Sequence, residues 1–419
     1  MPSIVTPDAA VRLLPDRARV LTSPACATPA TLLAALGRLA PERPGATVVT
    51  GMLLGPLPWL DAVAAGHLGL RTWHVSGAAR RLADRGQVDY VPYRLGDIPA
   101  ALPGMVDSLL VRVSPPDRSG RCSIGPSGSY TLAGLRAVKA AGGIVLAEID
   151  PALPRTTGDT LLSVDECTAM VEADLPTSLH RPAERDEVND RIADNVLGLL
   201  PDAPTVQLGI GAVPEAVTAS LGAVRGGARL VGMAGDGVID LLEGGALRRG
   251  REGPPVVAVE IIGTAALMAH VDRNPDVEVA SSEVVHNPRW TGDIDRFVSI
   301  NSALEVDLTG QVALEAAGGR SLSGLGGAVD FFEGAHRAPG GLRIVALRAA
   351  DGTGTVTKIV PRLAAGTPVS LPRHAVDAVV TEHGVAWLRG ASIRERIDAL
   401  LAVAAPAWRD TLAAAAGAT

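Results

Sequence analysis

Glycine-rich turns between a strand and a helix can hold an anion or a carbonyl oxygen, because backbone N–H groups converge there without side chains in the way. Two segments of this 419-residue chain have that form. Gly209, Ile210, Gly211, Ala212, Val213 and Pro214 follow the apolar run Thr205 to Ile210 and open a helical pattern. The same residues also make an ordinary tight βα turn, since a third glycine at the dinucleotide spacing is absent. Ser323, Gly324, Leu325, Gly326, Gly327, Ala328, Val329, Asp330 and Phe331 are denser, with three glycines in four positions. That density permits backbone to approach a ligand and favours a binding role over an irregular turn.

Other segments carry weaker chemistry. VSINSALEVDLTGQV (Val298 to Val312) alternates as a strand, with Leu304, Val306 and Leu308 on one face and Glu305 and Asp307 on the other. Those two carboxylates, taken alone, are expected to be solvated or ion-paired. VSPPDRSGRCSIG (Val113 to Gly125) reads as turn chemistry built on Pro and Gly. His74, His270, His286, His336, His374 and His383 lack HExxH or HxH spacing, so no metal site is expected. Cys26, Cys122 and Cys167 are odd in number and far apart, which argues against a disulfide framework and a zinc cluster.

The elements that must position these residues follow one grammar. Ala46 to Leu53 and Ser108 to Val113 read as strands, and the Gly-rich stretch Ser119 to Tyr130 leads into a helix at Thr131 to Ala141 and a strand at Ile144 to Ile149. After the charged stretch Pro182 to Asp190 the pattern returns: strands at Thr205 to Ile210, Arg229 to Met233 and Pro255 to Ile262, with helices opening at Gly211 and Gly237. Strand, loop, helix, strand is the βαβ signature of parallel sheets. Two similar open α/β domains in tandem, 1–185 and 186–419, are therefore expected, with the region between them as the default place for an active site.

Composition narrows the function classes. Hydrophobic residues make up 47% and charged residues 20%, enough to bury a sizeable core and to exclude disorder. A net charge of −7 and 3% aromatics leave no footprint for a nucleic-acid partner. Lys139 and Lys358 are the only lysines, so lysine chemistry has few possible locations. The N-terminal residues lack a basic region followed by an apolar core, no apolar run approaches the roughly 20 residues that span a bilayer, and the cytoplasm is the simplest location.

Seven segments occur in a telling order: VSPPDRSG (Val113 to Gly120), LPRTTGD (Leu153 to Asp159), QLGIGAVPEAV (Gln207 to Val217), SINSALEVDLTGQV (Ser299 to Val312), SGLGGAVDFFEGA (Ser323 to Ala335), KIVP (Lys358 to Pro361) and VVTEHGVAWLRG (Val379 to Gly390). Together they resemble the acetyl-CoA hydrolase/transferase family, which includes 4-hydroxybutyrate and acetate CoA-transferases. The resemblance implies CoA-transferase-type α/β domains, usually in a homodimer, acting on an acyl-CoA and a small-molecule acceptor. Coenzyme A would be substrate or product, with no permanently bound cofactor and no membrane or nucleic-acid partner. It also implies that a Glu carboxylate attacks the thioester, giving an acyl-glutamyl anhydride and then a glutamyl-CoA thioester. Gly209, Ile210, Gly211, Ala212 and Val213 would line the CoA, with Ser323, Gly324, Gly326, Gly327 and Lys358 completing the site.

One departure bears on mechanism. The family's nucleophilic Glu lies in a segment reading roughly S/T-E-M-x-S-D-G-V, and here the aligned segment Val231 to Val238 reads VGMAGDGV. The Glu position falls on Gly232. Replacement carboxylates are Asp236, Glu260 and Glu283, and a nearby His is a further candidate base. Ala328 stands where the family has Gln, Asp150 where it has Asn, and Ala405 where a late His is common. Gly232 and Ala328 together are expected to leave room beside the acyl group. The chain is thus expected to be an acyl-CoA thioester enzyme in which water or a substrate group attacks, by hydrolysis, acyl transfer or cyclisation. A conventional transferase with a relocated carboxylate and a non-catalytic acyl-CoA binder are the alternatives.

Overall fold

The computed structural model describes residues 3–417 except Ile210 and Glu252. It is a mixed α/β structure that divides into two compact units, Met1–Arg181 with Val257–Val285, and Pro182–Val256 with His286–Thr419.

The first unit is built on a seven-stranded sheet. Its strands run in the order 169–172, 144–149, 108–113, 19–22, 47–50, 69–72, 89–90, and every pairing is parallel. Parallel strands buried on both faces need continuous apolar sequence, and SLLVRV at Ser108–Val113 is buried at all six positions. Helix Thr131–Ala140 covers one face, directing Leu132, Leu135 and Val138 inward. Trp59 and Leu36 belong to the second apolar layer.

The centre of this sheet also carries charge. Arg112, fully buried, lies 2.9 Å from Glu148 and 2.8 Å from Asp150. Asp150 also accepts from the Thr177 hydroxyl, so an acid at 150 has a charge partner that an amide would lack. Burial pushes the Glu148 carboxyl up to about 7 despite the attraction of Arg112.

Val257–Val285 packs with the first unit, although it follows strands of the second in sequence and was expected in the domain 186–419. Within that unit, Ile261 N–H donates to Pro126 O at 2.9 Å and Gly128 N–H to Val259 O at 3.0 Å. Those bonds tie strand Val256–Ile261 to the Gly-rich turn before Tyr130. The Tyr130 hydroxyl in turn accepts from the Gly51 N–H at 2.9 Å, and its ring meets Trp73 edge-on at 4.8 Å. Tyr130→Phe leaves that buried N–H unpaired and is expected to cost about 1–3 kcal/mol in urea unfolding.

The second unit repeats the plan. Its strands run 384–387, 378–381, 342–346, 297–301, 205–208, 229–234, all parallel except the edge hairpin strand 384–387. Helices are started by side-chain caps: Asp186 accepts from the Asn189 N–H at 2.9 Å, and Ser392 with Glu395 forms a reciprocal box. Phe332, Val345, Leu347 and Leu400 lie in its apolar core. In both units the chain moves outward from one central strand to one side and then to the other, which is the doubly wound arrangement.

Among the described residues no helix is long and apolar enough to cross a membrane.

Candidate active site

In an open parallel sheet, ligands bind beyond the carboxyl ends of the strands where the strand order reverses. In the second unit that point is strand 205–208, flanked by 229–234 on one side and 297–301 on the other, with Leu208 opposite both Gly232 and Ile300. Gly209 follows it directly. Gly211 caps helix Ala212–Ser220 with φ +113° and no side-chain hydrogen bond, while Val213 turns into the core. Ile210 lies outside the described residues.

Gly232 sits within strand Arg229–Ala234 with φ +109°, a conformation that L side chains rarely adopt. A Cβ there would lie 3.0 Å from Gln207 Cγ and 3.4 Å from Phe331 Cζ. The expectation of open room at this position is therefore corrected, because Gln207 and Phe331 already stand against the backbone. Gln207 is held in place by a buried polar network. Its Oε1 accepts from Ser299 Oγ at 2.6 Å and from Asn301 Nδ2 at 3.1 Å, and Asn301 Nδ2 also donates to Ser299 Oγ at 3.0 Å.

The second glycine segment reaches the same ring. Ser323, Gly324 and Gly326 lead to Gly327, which caps helix Ala328–Arg337, and Phe331 lies on its first turn. Phe331 tilts against His286 at 4.8 Å between ring centroids. A Cβ on Gly327 would meet His286 Nε2 at 2.4 Å and Phe331 Cε2 at 2.8 Å, so close approach demands glycine here. The structure thus gathers Gly232 and Gly327 around Phe331. Gln207, Ser299 and Asn301 were not singled out by type and spacing, while Phe331 closed the second glycine segment and His286 was weighed only for metal spacing. Gln207 alone carried a signal, as a polar residue inside an apolar strand.

The proposed bases fare differently. Burial drives the His286 pKa down to about 3, which removes it as a base near neutral pH. Asp236 occupies the cap position of helix Gly237–Glu243 without capping it and has other interactions of its own. Glu283 is half exposed and paired with Arg136. Glu260, in the first unit, is 7% exposed, and neither carboxylate oxygen makes a hydrogen bond. Burial lifts it to about 8, partly offset by the nearby hydroxyls of Ser127 and Ser129. Those two serines belong to the same Gly-rich turn that pairs with strand Val256–Ile261.

Other motif residues have structural work. Asp307 is buried and accepts from Thr309 N–H at 2.9 Å and Gln311 N–H at 3.0 Å, as well as from both their side chains. It is neither solvated nor ion-paired, because a tight turn surrounds it. Asp117 accepts from the Ser119 hydroxyl at 2.7 Å and from the Arg121 and Ser119 N–H groups, bonds that hold its carboxyl down near 2, and its pairing with Arg155 at 2.5 Å links the PPDRSG and LPRTTGD segments. Lys358 is half-buried before strand Ile359–Val360, and burial with Arg348 lowers its pKa against Asp351 and Glu382. Among the described residues no three His, Cys, Asp or Glu side chains are grouped to hold a metal ion.

Comparison with known proteins assigns the architecture. Residues 263–416 match the model of the acetyl-CoA hydrolase/transferase C-terminal domain. The chain is 34% identical over 417 residues to 4-hydroxybutyrate coenzyme A transferase of Clostridium kluyveri, covering 98% of this chain and 96% of that one. Among solved structures, RipA from Yersinia pestis superposes with a TM-score of 0.91 at 26% identity, covering 99% of this chain and 97% of that one. The 4-hydroxybutyrate CoA-transferase of Porphyromonas gingivalis superposes with a TM-score of 0.79 at 30% identity, covering 98% and 96%. The chain belongs to the acetyl-CoA hydrolase/transferase family and is a CoA-transferase-like enzyme.

Proposed function

We propose that this enzyme cleaves an acyl-CoA thioester without forming a glutamyl-CoA intermediate at position 232, the attacking group being water or a hydroxyl, amine or carbanion of the substrate. The observation that carries the reading is Gly232 itself, which has no side chain to attack with and where a left-handed backbone and the close Gln207 Cγ strain any side chain placed there. In the reaction the nucleophile adds to the carbonyl carbon, the C–S bond breaks and CoA leaves as the thiol. The nucleophile's proton needs a base, and Glu260 is the carboxylate proposed for it, since it is buried beside the hydroxyls of Ser127 and Ser129 with no cation to hold it ionised. The CoA would lie along Gly209 to Val213 and Ser323 to Gly327, with a carboxylic acid as one possible acceptor class by analogy with the transferases above.

The uncommitted Glu260 also favours a second reading, ordinary transfer with Glu260 as the relocated nucleophile. Mass spectrometry separates the two after incubation with short acyl-CoAs and acetate. Free CoA, or a new acyl product, without a covalent adduct is expected. Acetyl-CoA together with a CoA adduct on Glu260 would establish relocated transfer instead. Binding without release of CoA would reduce the protein to an acyl-CoA binder.

A further inference from the structure

Gln207 is 2% exposed and lies on the strand that marks the switch point of the second unit. Ser299 Oγ at 2.6 Å and Asn301 Nδ2 at 3.1 Å both donate to its Oε1, which fixes that end of the amide as the acceptor. The other end, Nε2, carries two N–H groups, and no described residue accepts from either. A buried donor held in this way is costly unless a ligand or solvent oxygen accepts from it.

Two observations place that oxygen. Side chains two residues apart on a strand share a face, and two residues beyond Gln207 stands Gly209, where a Cβ would meet no described atom within 4 Å. The face that carries the amide therefore opens at the carboxyl end of the strand. The amide also borders position 232, where a Cβ would lie 3.0 Å from Gln207 Cγ. The family motif gives position 232 to the attacking carboxylate, so the group that meets the amide here is the attacker and not the carbonyl under attack.

We propose that Gln207 positions the attacking group of thioester cleavage by donating an Nε2–H to it, and that this group is an oxygen, of water or of a substrate hydroxyl. This rests on the acyl-CoA reading above and narrows it. An oxygen has two lone pairs, one to accept the hydrogen bond and one to add to the thioester carbon. A neutral amine has a single pair and cannot do both, and a carbanion needs its pair for the new bond. In the step the C–O bond forms, the proton of the oxygen passes to the base, the C–S bond breaks, and sulfur takes up that proton as CoA leaves. Gln207 exchanges no proton; it orients the attacker.

The test incubates the full-length wild type and Gln207→Met with short acyl-CoAs in heavy-oxygen water that contains glycerol as a hydroxyl donor and glycinamide as an amine. Mass spectrometry reads labelled acid for water, ester or lactone for a hydroxyl, and amide for the amine, each corrected for the uncatalysed reaction. The wild type is expected to give the oxygen products in excess over amide. Gln207→Met should lower the ratio of oxygen products to amide about tenfold, the worth of one hydrogen bond, with KM for the acyl-CoA nearly unchanged. Equal loss of all products, as a merely structural role or a contact with the carbonyl oxygen would give, overturns the positioning role, and so does an unchanged ratio. A wild type that makes mainly amide overturns the oxygen assignment. A wild type that releases no CoA from any acyl-CoA overturns the acyl-CoA reading and this proposal with it. Thermal melts check folding, and Ser299→Ala, which leaves the amide free to turn, makes the same comparison if Gln207→Met does not fold.

Discussion

Glu260→Gln is expected to lower kcat/KM for thioester cleavage about a thousandfold, the range removed with a positioned general base. The wild-type rate should climb as pH rises toward about 8, because in the proposed reaction the carboxylate form is the working base and burial holds its pKa there. The variant should lose that limb. Stability moves in the opposite direction. Between the ordinary value of 4.5 and about 8, the unfolded chain releases a proton that the folded chain keeps, so folding stability falls as pH rises through this window. It then levels off above the folded pKa. Glutamine cannot ionise and should remove this part of the loss, on the order of a few kcal/mol. The wild type keeps a separate contribution from Glu148, raised to about 7, so the difference between the two proteins isolates Glu260. Urea titrations at pH 5 and 8 with matched rate profiles make the comparison. An unchanged rate limb in the variant would exclude Glu260 as the base.

Gly232→Glu is the second decisive variant. It restores the residue type that the family resemblance places there, yet it is expected neither to form a glutamyl-CoA adduct nor to gain exchange onto acetate. At φ +109° any side chain is strained, by about 1–3 kcal/mol. The new Cβ also meets Gln207 Cγ at 3.0 Å, and overpacking of this kind adds about 1–3 kcal/mol more. Gln207 cannot swing aside cheaply, because Ser299 and Asn301 both donate to its amide oxygen. Gly232→Ala carries the same backbone strain and the same Cβ contact with Gln207, so it separates both from the further cost of the rest of the glutamate side chain. A folded Gly232→Glu protein that carries CoA on residue 232 and exchanges onto acetate would overturn the claim that this position is closed to a nucleophile.

Local pattern was enough for the elements. Strands Ser108–Val113 and Ile144–Ile149 coincide with the apolar runs read from sequence, and helix Thr131–Ala140 ends one residue short of the reading. Buried parallel strands and their covering helices are written in consecutive residues, so hydrophobic period and glycine punctuation suffice. The glycine segments were legible for the same reason, and so was the family, whose motifs are local strings in a fixed order. What tertiary structure alone decided are relations between residues distant in the chain. Gln207 meets Asn301 because parallel strands align residues separated by whole helices, and His286 meets Gly327 and Phe331 stands against Gly232 through the packing of a loop and a helix that are distant in sequence. Glu260 is buried on a strand whose apolar neighbours in sequence do not announce it, whereas the turn around Asp307 is built by Thr309 and Gln311 close by in the chain. Sequence by itself determined that this is a doubly wound CoA-transferase-type enzyme, and the resemblance read from it places Gly232 where the family motif would carry a glutamate. Only the folded chain decided that this glycine has no free space beside it, since steric room and desolvation are properties of packed neighbours.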